Sequence, residues 1–280
     1  ELAAMAADNI SSLSRKRKKE IKEEVEEELL KFMPPMLNGV PFVYDSETKL
    51  LYVGTGSLTQ SDSLVQLFID TVDVDAVPKT PMMEAMIALN ADRIEIDPLD
   101  FSGKNFSKDE ELNLGRDFLT WMWFLCEAED GKFIVPDLGE FCIGIDGPLH
   151  MVAENMGAHE SVLRKGLPTL SPEAHSALRS GKKLKSARVS FTRGDEIWTF
   201  TLDADNFIFK SLKLPDGEAM DADARFDERI SFLDTFQEAF YSLYSDYVKA
   251  FSGKNKAANL VSVQEWVGDR LFHNPDNHEG

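Results

Sequence analysis

The residues best placed to do chemistry in this chain are its cations, and the chemistry they point to is phosphate recognition. Positive charge gathers in two places: first Arg15, Lys16, Arg17, Lys18, Lys19 and Lys22, then Lys182, Lys183, Lys185, Arg188 and Arg193. Lysine and arginine neutralise phosphates and release their counterions, which gives affinity without reading bases. Against them stands a formal net charge of −19. That balance excludes indiscriminate attraction to polyanions over the whole surface and confines any such contact to the two patches.

Other chemistries find less support. Asp45, Glu47 and Lys49 mimic part of a nuclease signature, but no upstream acid sits at a suitable distance, so the stretch reads as a turn. His150, His159, His175, His273 and His278 lack ligand-spaced partners. Cys126 and Cys142 sit in apolar runs without C-x-x-C spacing, as buried free thiols of a reducing compartment do. The sequence holds no G-x-x-x-x-G-K-[ST], no G-x-G-x-x-G after a strand, no G-x-S-x-G and no H-E-x-x-H. No catalytic residue, metal site or cofactor is therefore assigned, and a non-enzymatic protein is expected. There is no run of about 18 apolar residues and no apolar segment of signal-peptide type at the start. A cytoplasmic protein that does not enter membranes is expected. Because the chain starts at Glu1 and reads as helix at once, it is taken as the later portion of a longer protein.

The elements that must position these cations follow from the pattern of apolar residues. With 43% hydrophobic residues over 280 positions, the chain can bury one large core or two ordinary ones. The first basic block opens a helix that runs to residue 30, with Ser11, Ser12 and Ser14 as candidate caps; an acidic block at 23–28 follows directly. Two prolines at 34 and 35 end it. Short β-favouring runs at 40–44 and 50–54 flank a polar connection of hairpin length, and Leu64, Val65, Leu67, Phe68 and Val72 repeat at helical spacing. These form a ββα unit, and a proline-marked link at 74–81 leads into a helix at 82–89. Residues 91–109 read as a long surface connection.

Residues 112–126 form the centre. Leu114, Phe118, Trp121, Met122 and Leu125 share one helical face, while Leu119, Trp123, Phe124 and Cys126 fill most of the rest, so this helix needs cover on several sides. Arg116 and Asp117 are its polar exceptions, expected as a solvated strip or a local ion pair. Three short strands at 132–135, 140–145 and 149–154 make a meander. Ser171 caps a helix with Pro172 at its first position, and Gly181 ends it. Three antiparallel strands then span 182–214, with Lys183, Lys185 and Arg188 expected to project from the face opposite the core. An acidic loop at 216–227, an aromatic helix at 229–251, read as core or subunit interface, and a last helix at 260–272 complete an α+β reading: a ββα unit plus antiparallel sheets packed against long helices. Two domains are expected, 1–81 with the basic helix and finger-like ββα region, and 82–280 with the rest.

Several stretches carry a resemblance in order. They are the basic helix running into Val25 and Leu30, Phe42-Val43-Tyr44-Asp45, Val77-Pro78-Lys79-Thr80-Pro81, Leu114-Gly115-Arg116-Asp117-Phe118-Leu119-Thr120-Trp121-Met122-Trp123 and Ser180-Gly181-Lys182-Lys183. Over residues 15–251 the chain resembles the RdgC family of recombination-associated DNA-binding proteins, without the N-terminal domain of that family. The resemblance implies an RdgC-like, nucleoid-associated homodimer that closes a ring around double-stranded DNA, binds it with little sequence preference and restrains RecA. Some relatives carry an exonuclease label, for which this sequence offers no residues. A reading of a different class treats the chain as an acidic interaction factor or DNA mimic that acts on a recombination or nuclease partner without touching DNA.

Overall fold

The computed structural model describes residues 14–33, 39–94, 99–101, 113–153 and 160–269. Ser11, Ser12, residues 34 and 35, Leu112, His159, His273 and His278, all named above, lie outside these. The chain forms two compact units, 1–54 and 55–280.

The first unit holds helix α1 (Arg15–Leu30) and a hairpin of β1 (Phe42–Asp45) and β2 (Leu50–Val53). Ser14 caps α1 by accepting the Arg17 N–H on Oγ at 3.2 Å, which satisfies one of the amides left orphaned at a helix start. The strands pair antiparallel with Phe42 opposite Val53 and Asp45 opposite Leu50. Their turn is built on Asp45, whose carboxylate accepts Glu47 N–H at 2.8 Å and the Thr48 hydroxyl at 2.6 Å. Those bonds, the Thr48 one foremost, hold the Asp45 carboxyl below its ordinary value. The nuclease-like fragment is thus a turn whose acid is already committed.

The second unit is a mixed α+β body. Helix α2 (Leu58–Val72) is capped by Ser57 and α3 (Pro81–Leu89) by Thr80, with Pro81 in its first turn. The central helix α4 (Leu114–Ala128) follows, capped by Asn113. A six-stranded antiparallel sheet contains β3 (Lys132–Val135), β4 (Gly139–Val152), β6 (Lys183–Arg193), β7 (Glu196–Asp203) and β8 (Ile208–Lys213) in the order β3-β4-β6-β7-β8, with β5 (Glu160–Leu163) also pairing to β4. Helix α5 (Pro172–Arg179) precedes β6, its start fixed by Ser171 and Pro172 as expected. Helices α6 (Ala222–Ser252) and α7 (Lys256–Asp269) close the order.

Several expectations are corrected. The two strands read at 140–145 and 149–154 are one strand, β4, whose ladder to β6 shifts register between Asp146 and His150 around Gly147-Pro148. Proline breaks a ladder locally, which is why the sequence reads as two strands. Half of the acidic loop is helix: α6 begins at Ala222 with Asp221 as cap and Asp223 in its first turn, where the helix dipole favours negative charge. The connection after α3 is not all at the surface, since Leu99 and Phe101 are buried in the core.

The core confirms the role read for α4. Phe118 is fully buried and meets Phe207, Phe240, Tyr244 and Tyr247 with centroids 5.0–6.0 Å away. Trp123 is fully buried, whereas Trp121 is half-buried against Tyr247 and Phe251. The aromatic stripe of α6 is core: Phe236, Phe240, Tyr244 and Tyr247 are buried, and Phe236 and Phe240 pack on Phe191, Phe200 and Phe209 of the sheet. Each such ring removed from water stabilises the fold by about 1.5–3 kcal/mol.

In contrast, no described residue from Ser14 to Thr80 is buried. The apolar side chains of α1, the hairpin and α2 are half-buried or exposed, Val25 at 46%, Leu29 at 51% and Leu67 at 62% among them.

Candidate nucleic-acid interface

The first basic block forms the opening turns of α1. Arg15, Lys16, Lys18, Lys19 and Lys22 are exposed and Arg17 is half-buried. Part of this charge is met along the helix: Arg17 reaches Glu20 at 3.2 Å and Glu24 at 3.7 Å, Lys19 reaches Glu23 at 3.5 Å, and Lys22 reaches Glu26 at 3.4 Å. Exposed pairs of this kind contribute only about 0.3–0.5 kcal/mol each, so a phosphate can displace the glutamate at little cost. Arg15, Lys16 and Lys18 enter no ion pair among the described residues.

The order of charges runs against helix stability. Helix N-termini favour acids and C-termini favour bases, yet α1 has no acid in its first turn and no base in its last. Its pairs also place the cation N-terminal to the glutamate, the weaker arrangement. Helix formation alone would select the reverse order.

The second cluster comes apart in three dimensions. Lys183, expected on the outer face, is buried at 4% exposure. Its Nζ lies 2.5 Å from Asp117 Oδ1. Lys183 and its neighbour Leu184 are consecutive and both buried, so this end of β6 is covered on both sides and alternation sets no solvent face there. A bulge follows, since Ser186 pairs with His150 and Leu184 with Met151, which leaves Lys185 as an extra residue. Asp117 is itself fully buried on α4 and accepts the Leu99 N–H on Oδ2 at 3.1 Å. Burial pushes the Asp117 carboxyl above its ordinary value while the Lys183 ammonium pulls it back. The neighbouring Thr120 hydroxyl accepts the Leu184 N–H at 2.9 Å. Arg116 and Asp117, read as a solvated strip or a local pair, are instead two long-range ties, and Lys183 is a core residue rather than a phosphate contact.

Lys185 is drawn to Asp205 at 3.7 Å. Arg116 clamps the same carboxylate with both arms, Nε to Oδ1 at 2.6 Å and a terminal nitrogen to Oδ2 at 2.9 Å, and Asn113 donates to Oδ1 at 3.1 Å. Burial works to raise the Asp205 acid, but these donors outweigh it and hold the carboxyl below its usual range. Lys182 donates to Ser161 Oγ at 2.6 Å. Arg193 pairs with Glu196 at 2.6 Å and lies over the Phe141 and Trp198 rings.

Arg188 alone of this cluster stands exposed. Strand register gives it company that sequence order conceals. It lies opposite Thr201 of β7, which lies opposite Lys210 of β8, and one row along Ser190, Thr199 and Lys213 align in the same way. Lys210 and Lys213 are exposed, and Lys210 also reaches Asp203 at 2.7 Å. Hydroxyls interleaved with cations are phosphate donors, and only the register of β6, β7 and β8 brings them together.

Elsewhere the described residues contain no group of three His, Cys, Asp or Glu side chains that could hold a metal ion. His150 faces Glu160 across β4 and β5 at 3.5 Å. Cys126 donates to the Ile143 carbonyl at 3.4 Å, and burial, with a smaller contribution from Cys142, pushes its thiol up to about 12. Among the described residues no helix is long and apolar enough to cross a membrane. No protein-family model and no curated protein matches this chain.

Proposed function

We propose that the chain binds double-stranded DNA without reading its sequence and thereby restrains RecA-type recombination, in the manner of the RdgC proteins it resembles. The observation that carries this reading is the basic start of α1: Arg15, Lys16 and Lys18 stand in solvent without an ion pair among the described residues, in a charge order that works against the helix dipole. A charge arrangement that lowers helix stability and remains exposed is suited to an external polyanion. Arg188, Lys210 and Lys213, with the hydroxyls beside them, supply a second set of backbone contacts. No base-reading element is required, since phosphate contacts position a protein without specifying sequence.

One observation favours the alternative of an acidic interaction factor. Of the cations first assigned to DNA, Lys183 is buried and Lys185 and Arg193 are held by carboxylates, which leaves less of the second cluster open to phosphate on a chain of net charge −19. Duplex titration by fluorescence anisotropy at about 50 and 200 mM salt separates the two readings. DNA binding requires affinity that falls steeply with salt and is lost when Arg15, Lys16 and Lys18 are changed together to glutamine. Absence of binding at the lower salt leaves the acidic surface as the functional one.

A further inference from the structure

Helix α3 (Pro81–Leu89) is built the wrong way round for a surface helix. Its sequence, Pro-Met-Met-Glu-Ala-Met-Ile-Ala-Leu, contains one charged residue, Glu84, and that residue is turned inward. Glu84 is buried with Pro81 and Ala85, and its carboxylate holds Lys79 Nζ at 2.9 Å. Lys79 in turn lies 4.3 Å from the centre of the Tyr241 ring, and the Tyr244 hydroxyl donates to the Pro81 carbonyl at 2.7 Å. These contacts fix the Glu84 face of α3 against α6. The 3.6-residue period then places Met82, Met83, Met86 and Ile87 on the opposite arc. Among the described residues that arc stays at the surface: Met82, Met83 and Ile87 are exposed, Ile87 at 67%, and Met86 is half-buried. A surface helix ordinarily turns its polar side chains outward. The outward arc of α3 holds none.

The apolar surface continues along the chain before α3, where Val72, Val74 and Val77 are exposed as well. The charges around it have one sign. Residues 50–92 carry the acids Asp62, Asp70, Asp73, Asp75, Glu84 and Asp92 and a single cation, Lys79, which Glu84 and the Tyr241 ring already engage. Residues 230–248 of α6 likewise carry Asp234, Glu238 and Asp246 and no cation. Methionine is flexible and polarisable, and it is enriched where one protein surface accepts another. Apolar side chains framed by carboxylates complement an amphipathic helix with lysine or arginine beside its apolar stripe.

We propose that the outward face of α3, with Val74 and Val77 beside it, docks a basic amphipathic helix of another protein. Its nine residues make α3 about 14 Å long. The contact therefore buries less than the roughly 1,200 Å² of a standard interface, and the association is weak and reversible. It uses none of the residues assigned to DNA and stands independently of that reading.

The test titrates the whole 280-residue chain into a labelled helical peptide of about 18 residues, leucine on one face and lysine on the other, by fluorescence anisotropy at about 50 mM salt. A second peptide of the same composition has its leucines spread round the helix, so it carries equal charge and no apolar face. The first peptide is expected to bind below about 100 μM protein and the second at least tenfold more weakly. Met83→Gln/Ile87→Gln removes the apolar face and leaves the net charge unchanged. It is expected to weaken binding of the first peptide at least tenfold at unchanged melting temperature, while Val261→Gln, at an exposed site on α7, changes nothing. In the unsubstituted chain, hydrogen exchange should slow over residues 81–89 when the first peptide binds. Equal affinity for the two peptides would show attraction to the acidic chain as a whole and overturn the proposal. Absence of binding, protection confined to other segments, or a folded Met83→Gln/Ile87→Gln variant that binds as wild type does would overturn it too. So would a wild-type dimer in sedimentation velocity that this variant dissociates, since the face would then belong to a second copy.

Discussion

Replacing Lys183 by methionine removes the cation that faces a fully buried carboxylate and leaves the hydrocarbon volume in place. Lys183 Nζ stands 2.5 Å from Asp117 Oδ1, and the two side chains are 5% and 0% exposed. The pair therefore exchanges almost no contact with solvent. Breaking a buried ion pair from one side costs about 3–5 kcal/mol, because the remaining charge is left without compensation. For a chain of this size that is a fall in melting temperature on the order of 6–20 °C. Asp117 can relieve part of the strain by taking up a proton. Its folded-state pKa in the variant lies above its unfolded value, so the stability linked to it is fully present below the unfolded value and is lost as pH rises. The deficit of Lys183→Met should accordingly be smaller near pH 5 than near pH 8. The double variant Lys183→Met/Asp117→Asn removes the orphan charge and keeps an oxygen for the Leu99 N–H, so it should recover to within about 1–2 kcal/mol of wild type. Urea unfolding followed by tryptophan fluorescence, at both pH values, measures all three proteins. Duplex binding per folded molecule should be unchanged in both variants. A single variant within about 1 kcal/mol of wild type, or one that loses DNA affinity with stability intact, would refute the placement of Lys183 in the core.

Three further outcomes follow from the same packing. A Cβ on Gly115 would stand 1.8 Å from the Ala204 carbonyl oxygen, a backbone atom that cannot swing away, so Gly115→Ala should destabilise by about 1–3 kcal/mol in chemical unfolding. Asp205 has a depressed folded-state pKa, and such a group contributes stability that is present above its unfolded value of about 3.9 and is lost as pH falls through the folded value. The stability difference between wild type and Asp205→Asn should thus be largest above about pH 5 and shrink below about pH 4. Cys126, with its thiol pushed up to about 12, should resist iodoacetamide at pH 8 in the native protein and react once urea unfolds it, as read by peptide mass spectrometry.

Much of the α+β architecture can be read from the residues themselves, because it rests on local signals. Aromatic residues around the whole circumference of α4 leave no surface orientation open to it, and Ser14, Thr80 and Ser171 mark helix starts with side chains that accept amide hydrogens. The candidate site depends on signals that are not local. A lysine in a strand reads as a surface group, and the acid that draws Lys183 inward lies on another element, α4. Lys183 and Leu184 are consecutive and both buried at a strand end covered on both sides, so alternation from Leu184 assigns Lys183 the wrong face. Lys210 and Lys213 escape notice because sequence distance separates them from Arg188, while the register of β7 and β8 joins them. Leu99 and Phe101 are brief apolar points in a polar stretch, too short to show a period, yet both reach the core. The basic start of α1 was readable because its charges are contiguous, and what the structure adds is that they remain in solvent against the dipole.

The central claim is that the exposed cations opening α1 hold phosphates. The direct measurement is the slope of log affinity against log salt for a duplex of about 20 base pairs, in wild type and in Arg15→Gln/Lys16→Gln/Lys18→Gln. Each lost phosphate contact reduces the slope by about 0.9. Wild type should show a steep slope, and the variant should bind more weakly with a slope lower by about 2–3 at unchanged stability. No binding at about 50 mM salt, or a variant whose slope equals that of wild type, would contradict it.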